Sequence, residues 1–318
     1  MNIVITGSIA YDYIMRFPGF FKDHLLPDKL DSLSLSFLVE SMVRQRGGVA
    51  PNIAYTLALL GARPIVMATA GEDFSDYRAW LDAAGVDTSA VKVVPGVFTA
   101  SFFANVDRAN AQLASFYPGA MSHAAEVSFR NLPVRPDLAV ISPNEPAAME
   151  QYVAECLELG IPYAYDVSWQ LARLSAEEIE AGVLGCAIAV INDYEMALIA
   201  NKTGIDEDDP RLIEKVVVVT RGERGSTIYA GGCRYDIPIV PLACEAEPTG
   251  AGDAYRGGFL RGWEAGWPWE VCGRMGALAA TYCLEKPGPQ SHSFSRQEFV
   301  ARYRQHFDDG GLLDTLLP

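Results

Sequence analysis

The sequence has no apolar run approaching the ~20 residues that a membrane-spanning helix needs, no Cys-x-x-Cys pair, and few basic residues for its length. Each lack removes a class of function. The six cysteines, Cys156, Cys186, Cys233, Cys244, Cys272 and Cys283, are scattered through a chain long enough to bury its own core, so they read as free thiols. The four histidines, His24, His123, His292 and His306, are too dispersed for a structural metal site. Forty acidic residues against twenty-five basic ones leave a net charge of −15, whose field repels polyanions and argues against a nucleic-acid partner. The Gly-x-Gly-x-x-Gly fingerprint of nicotinamide dinucleotide binding is missing after the first apolar run, where Gly7-Ser8-Ile9-Ala10-Tyr11-Asp12 stands instead. Met1 to Gly7 has no basic leader and reads directly as a buried strand entering a glycine turn. The expectation is a soluble, cytoplasmic protein with no membrane partner.

What is present is an alternation. Half of the 318 residues are apolar, enough for two ordinary domains or for one large α/β domain with a small appendage. Short β-branched runs at Pro64–Ala70, Asp137–Ser142, Tyr163–Asp166, Ala187–Asn192 and Val216–Thr220 read as strands. Between them Pro51–Leu60, Phe74–Ala84, Pro146–Leu159 and Asp193–Lys202 carry apolar residues at helical spacing. Strands alternating with helices imply βαβ units on a mostly parallel sheet. Val216-Val217-Val218-Val219 suits a strand buried on both faces, expected at the sheet's centre. Two stretches keep period two instead: 14–46, including Leu33 to Val39, and 99–117, including Ala100 to Asn105. They predict a small β-sheet lid over the strand ends of a single domain spanning 1–318; a peripheral hairpin is the plainer alternative.

A field that repels polyanions also repels ATP, so a phosphate site must be built locally from backbone N–H groups and a helix N-terminus. Glu247-Pro248-Thr249-Gly250-Ala251-Gly252-Asp253 answers to that: a glycine loop opening a helix. Gly250 and Gly252 present bare N–H groups, and Asp253 at the mouth of such an anion pocket could take the proton from a hydroxyl attacking phosphorus. In isolation the same spacing also describes a helix cap.

Five segments in order shift that balance: Gly7-Ser8 to Asp12, Gly47-Gly48 to Asn52, Asn192-Asp193-Tyr194-Glu195, Thr220-Arg221-Gly222 to Gly225, and the Gly250-to-Asp253 helix start. Together they resemble the ribokinase-like (phosphofructokinase B) family of sugar and nucleoside kinases over nearly the whole chain. Phe116-Tyr117-Pro118-Gly119-Ala120-Met121 and Pro248-Thr249-Gly250 look most like its bacterial adenosine kinase branch. The resemblance implies a three-layer α/β fold, ATP and Mg²⁺ as cofactors, and Asp253 as base beside Gly250, Ala251 and Gly252. It implies that Asp12 accepts from two ribose hydroxyls, with Ser8, Gly48 and Asn52 around the sugar and Gln170 and Arg173 closing the pocket. Asn192, Thr220, Gly222, Gly225 and Thr249 would line the nucleotide, Glu195 would hold Mg²⁺ through water, and helix 270–283 would pack beside the adenine. Read alone, Asn192 and Glu195 describe helix capping, Asp12 an exposed turn and Arg173 a solvated cation. Many members carry Asp where Glu247 stands, which leaves potassium dependence open.

The residues also suggest an acceptor. Ala100, Phe102 and Ala104 share one face of a period-two strand, and the small alanines would leave Phe102 room to meet a flat ligand. With Phe116 it could sandwich the base of a purine nucleoside, adenosine foremost; lid core is the alternative reading of both rings. A free sugar is the other substrate class that the same phosphate machinery serves, and a nucleotide-binding protein without catalysis is the reading from a different class. The lid is also a surface through which two copies could pair.

Overall fold

The computed structural model describes residues 1–25, 34–244 and 249–317, so Leu33, Glu247 and Pro248 lie outside the described residues. In chain order the strands are β1 (Ile3–Thr6), β2 (Ala10–Arg16), β3 (Ser41–Gly47), β4 (Ile65–Ala70), β5 (Val91–Val93), β6 (Ala100–Val106), β7 (Gln112–Tyr117), β8 (Leu138–Ile141), β9 (Tyr163–Tyr165), β10 (Ile188–Asn192), β11 (Val216–Thr220), β12 (Ser226–Ala230) and β13 (Cys233–Ile237). The helices are α1 (Val49–Leu59), α2 (Ser75–Ala84), α3 (Pro146–Leu159), α4 (Ala176–Gly185), α5 (Asp193–Thr203), α6 (Ala251–Glu264), α7 (Trp269–Leu284) and α8 (Arg296–His306). Nine strands form one sheet in the order β13-β12-β11-β10-β9-β8-β1-β4-β5, parallel from β11 to β5 and closed at the other edge by an antiparallel hairpin.

Alternation along each strand sorts the core. Ile3, Ile5 and Val218 face one apolar layer with α1, α2, α6, α7 and α8, while Val4, Val217 and Val219 face the other with α3, α4 and α5. The three layers follow from strands buried on both faces. No helix among the described residues is long and apolar enough to cross a membrane. Helix α1 begins two residues ahead of Pro51, which sits in the first turn, where a missing N–H breaks no helical bond.

Three expectations need correction. Strand β11 is buried on both faces as expected, yet it lies third from an edge, because Ser226–Ala230 and Cys233–Ile237 add a hairpin beyond it. Residues 34–39 form no strand. Leu38 is exposed, and the half-buried Phe37 ring instead meets Phe17, Phe21 and His24, so the segment folds onto an aromatic cluster without a ladder partner. The strand that pairs with β2 is β3, and the second sheet starts at Ala10 rather than at residue 14. That sheet has the order β3-β2-β6-β7, with an inner parallel pair and antiparallel outer ones.

Helix α6 sits close to both of its neighbours because it carries glycine where they cross. A Cβ at Gly257 would lie 2.7 Å from Thr56 Cβ on α1, and one at Gly258 would lie 2.5 Å from the Met275 carbonyl oxygen on α7. Glycine inside a helix costs up to about 1 kcal/mol relative to alanine, so the tight crossing must return more than that. Gly258→Ala is therefore expected to destabilise the protein by roughly 1–3 kcal/mol net, an overpacking cost that outweighs the propensity gain. Thermal unfolding should show a midpoint lower by several degrees; a midpoint at or above wild type contradicts the account.

Candidate active site

The N-terminus of α6 opens on a cavity of about 210 Å³ lined by Ser168, Val190, Asn192, Glu195, Thr220, Gly250, Gly252, Asp253 and Arg256. Gly250 is the N-cap, held left-handed at φ 83°, and a Cβ there would lie 2.9 Å from Pro289 Cα. Only glycine fits both demands. The unpaired N–H groups of the first turn and the positive end of the helix lie at this cavity, the requirements for holding a phosphate. Thr249 precedes the cap, its carbonyl accepting from Cys283 Sγ at 3.6 Å, and Ala251 is the first helical residue.

Asp253 is gripped from two sides. Its Oδ2 accepts from Asn52 Nδ2 at 2.9 Å, and its Oδ1 is 3.4 Å from Arg256 Nη1. Asn52, on α1, is buried and is oriented in turn: its Oδ1 accepts from Gln290 Nε2 at 2.8 Å. Gln290 also donates to Tyr77 Oη, which donates to the Gly47 carbonyl at 2.9 Å. Arg256 reaches from Asp253 to Asp166, with Nη2 2.8 Å from Asp166 Oδ1 as an ion pair. Burial pushes the Asp253 carboxyl up to about 6, against the downward pull of Arg256 and Asn52 and with a further push from Glu195. Burial also lifts Asp166 to about 8, where Arg256 opposes the shift and Glu195 and Asp253 add to it.

Cross-strand register places the acceptor candidates together. Gln45, Asp12, Phe102 and Phe116 lie directly opposite one another across β3, β2, β6 and β7 and so share one face. At one end of the row Gln45 lies against Gly288, two residues from Gln290. Phe116, at the other end, meets the half-exposed Trp169 ring edge-on at 6.0 Å. Glycine at position 47 leaves room for Asp12, whose Oδ2 would be 2.6 Å from a Cβ there.

Gly48, expected to let the backbone approach a sugar, also brings α1 against β2: at φ 92° its Cβ would lie 2.6 Å from Ala10 N and 2.8 Å from Ile9 Cα. Ser8 Oγ accepts from Val49 N at 3.3 Å, tying the same junction. Gln170 is fully buried and donates to the Asn144 carbonyl, while Arg173 forms a surface ion pair with Glu145 at 2.9 Å.

Also lining the cavity, Asn192 and Glu195 cap α5 reciprocally. Asn192 Oδ1 accepts from Glu195 N at 2.7 Å, Glu195 Oε2 accepts from Asn192 N at 3.0 Å, and Glu195 Oε1 accepts from Ser168 Oγ at 3.2 Å. Thr220 pairs in register with Asn192 at the parallel strand ends. Gly222 is left-handed, and Gly225, expected at the nucleotide, is also packed against the end of β13, where a Cβ would clash with the Ile237 carbonyl oxygen. No cluster of three acidic, histidine or cysteine side chains able to cage a metal occurs among the described residues. Glu195, a carboxylate at the cavity, is the residue that could hold Mg²⁺ through water, since magnesium keeps much of its hydration shell.

Sequence reasoning missed Arg256, Asp166, Trp169, Gln290 and Tyr77. Arg256 could have been found, because it stands three residues after Asp253 and so on the same helical face. Asp166 ends a predicted strand where open α/β sheets hold ligands.

Residues 2–296 match the pfkB family carbohydrate kinase. A nucleoside kinase of Methanothermobacter thermautotrophicus is 29% identical over 307 residues, 95% of either chain. The structure of a Burkholderia thailandensis nucleoside kinase in complex with inosine is 34% identical, with a TM-score of 0.86 over 96% of this chain and 97% of that one. A Methanocaldococcus jannaschii nucleoside kinase, an archaeal member of the ribokinase family, is 25% identical with a TM-score of 0.84 over 96% and 99%. The chain belongs to the pfkB family of carbohydrate kinases and has its ribokinase fold.

Proposed function

We propose that this protein transfers the γ-phosphoryl group of ATP to the 5′-hydroxyl of a ribonucleoside, a purine nucleoside with adenosine foremost. One observation carries the choice of acceptor: the row Gln45, Asp12, Phe102 and Phe116 puts a carboxylate for a vicinal diol beside two aromatic rings on one face. A carboxylate accepts from two neighbouring hydroxyls at once, whereas the rings serve a base and do little for a free sugar. The complex of the Burkholderia relative with inosine supports a purine nucleoside in such a pocket. In this reading the second sheet is the lid over the acceptor, and the strands at 10–47 and 100–117 close it as part of one kinase domain.

The reaction follows from the placement of the charges. ATP phosphates lie against the N–H groups of Gly250, Ala251 and Gly252, with Asn192, Thr220, Gly222, Gly225 and Thr249 along the nucleotide. Magnesium bound with ATP supplies positive charge to the transferring group, and Glu195 steadies its water shell. Asp12 and Asn52 fix the ribose so that its 5′-oxygen meets Asp253, which accepts the proton as the oxygen approaches phosphorus. Gln170 holds the loop that presents Trp169 toward the base.

Asp253→Asn is expected to keep the fold and the KM for ATP while lowering kcat at least roughly 10²-fold. A base must be ionised, and burial raises this one, so wild-type kcat/KM should fall as pH drops through about 6. A coupled ADP-release assay measures both; kcat within about threefold of wild type in the variant removes Asp253 from the role.

A panel of nucleosides and sugars tests the acceptor. Adenosine and inosine should exceed ribose and fructose in kcat/KM. Phe102→Ala and Phe116→Ala should each raise the nucleoside KM about tenfold, the lower range for a lost stacking contact, without moving that of ATP. A free sugar used as well as adenosine, or an unchanged nucleoside KM in both variants, contradicts the reading.

A further inference from the structure

The mechanism above leaves Arg256 without a task, yet few side chains are held so expensively. It is 8% exposed, and its guanidinium meets Asp253 Oδ1 at 3.4 Å, Asp166 Oδ1 at 2.8 Å and the Val190 carbonyl at 3.3 Å. A buried ion pair is weak support for a fold, because replacing both partners by apolar side chains of similar volume is often neutral or stabilising. The position therefore calls for a reason beyond packing. Geometry supplies it. Three elements meet in this one group: α6 carries it, the end of β9 offers Asp166, and β10 offers Val190. Asn52 holds one oxygen of Asp253 and Arg256 the other, so that the carboxylate plane is fixed by both. Glycine at position 252 leaves room for the guanidinium beneath the loop, since a Cβ there would lie 3.1 Å from Arg256 Nη1.

We propose that Arg256 is a positioning residue for phosphoryl transfer, a guanidinium anchored on Asp166 and Val190 that holds the Asp253 carboxylate in place and ionised. The inference rests on Asp253 being the base. The charged groups facing Asp253 are Arg256 on its own helix, Glu195 on α5 and Asp166 at the end of β9; from α1 the neutral Asn52 faces it. Two pushes favour protonation here, that of Glu195 on Asp253 and that of Glu195 and Asp253 on Asp166. Arg256 is the cation that opposes them, which a base working beside phosphate requires.

The test compares wild type, Asp253→Asn, Arg256→Met and Arg256→Lys by kcat, both KM values and the pH dependence of kcat/KM, with thermal unfolding to establish that each is folded. Arg256→Met should lose roughly 10²-fold in kcat, the scale of an ångström of misplacement, with both KM values within about threefold. Its acidic limb should move up by about one pH unit or more, because the cation that depresses the Asp253 carboxyl is gone. Arg256→Lys, which restores charge without the fork, should recover part of kcat and part of the limb. If Arg256→Met does not fold, the double variant Asp166→Asn/Arg256→Met, which removes both buried charges, is read by the same criteria. A folded variant with kcat within about threefold of wild type, or with an unmoved acidic limb, overturns the proposal. So does a loss confined to the KM for ATP, which would make Arg256 a nucleotide ligand. Wild type without kinase activity sinks the kinase reading itself, whereas active wild type with an active Arg256→Met sinks this inference alone.

Discussion

The 2.9 Å hydrogen bond from Asn52 to Asp253 is the contact on which the rest of the structure depends. It joins residues 201 positions apart and with them the two halves of the site: α1, which leaves the small sheet at Gly48, and α6, which carries the anion loop. Asn52 can donate there because Gln290 engages its oxygen, and Gln290 is placed by Tyr77 and Gly47. The small sheet, loop 288–290 and the glycine loop before α6 are thus set by one chain of polar contacts, most of them buried. Gly257 of α6 serves the same end, since the close crossing with α1 that it allows brings the two side chains into reach.

Electrostatics makes that arrangement demanding. A protein of net charge −15 must bind a polyanion, and two acids, Glu195 and Asp253, line the cavity that would receive it, with a third, Asp166, buried behind Arg256. Backbone N–H groups, the end of α6 and the buried Arg256 guanidinium oppose them locally. Removing either Arg256 or Asp166 alone leaves a buried charge uncompensated, which costs far more than the pair itself contributes. Such a cluster is costly for a fold, and pKa values displaced in this way gather at functional sites.

Where local pattern decides, the sequence was a good guide. The run Pro146–Leu159 folds as the helix its spacing predicts, and the β-branched runs at 138–141, 188–192 and 216–220 are strands of a parallel sheet because continuous apolar runs must be covered on both faces. The glycine loop before Asp253 was legible for the same reason: its chemistry is local. Alternation misled at residues 34–39, where period two needs a ladder partner and the ring of Phe37 found an aromatic cluster instead. The hairpin after β11 went unread, although Gly231-Gly232 between two β-rich runs marks it. Gln290 and Tyr77 carried no signal, since their contact spans 213 positions and nothing near either residue announces it. Gly48 was legible as a glycine needing room, and the protein's own backbone crowds it as it crowds Gly225.

The central claim is that one face of the small sheet holds a nucleoside with its 5′-oxygen on Asp253. A crystal structure of the protein with adenosine or inosine and a non-hydrolysable ATP analogue measures it directly. The account expects the 5′-oxygen about 2.6–3.2 Å from the Asp253 carboxylate, both ribose hydroxyls on Asp12, and the base between Phe102 and Phe116. A ribose bound away from Asp12, or a 5′-oxygen out of hydrogen-bond reach of Asp253 in the closed complex, would contradict it.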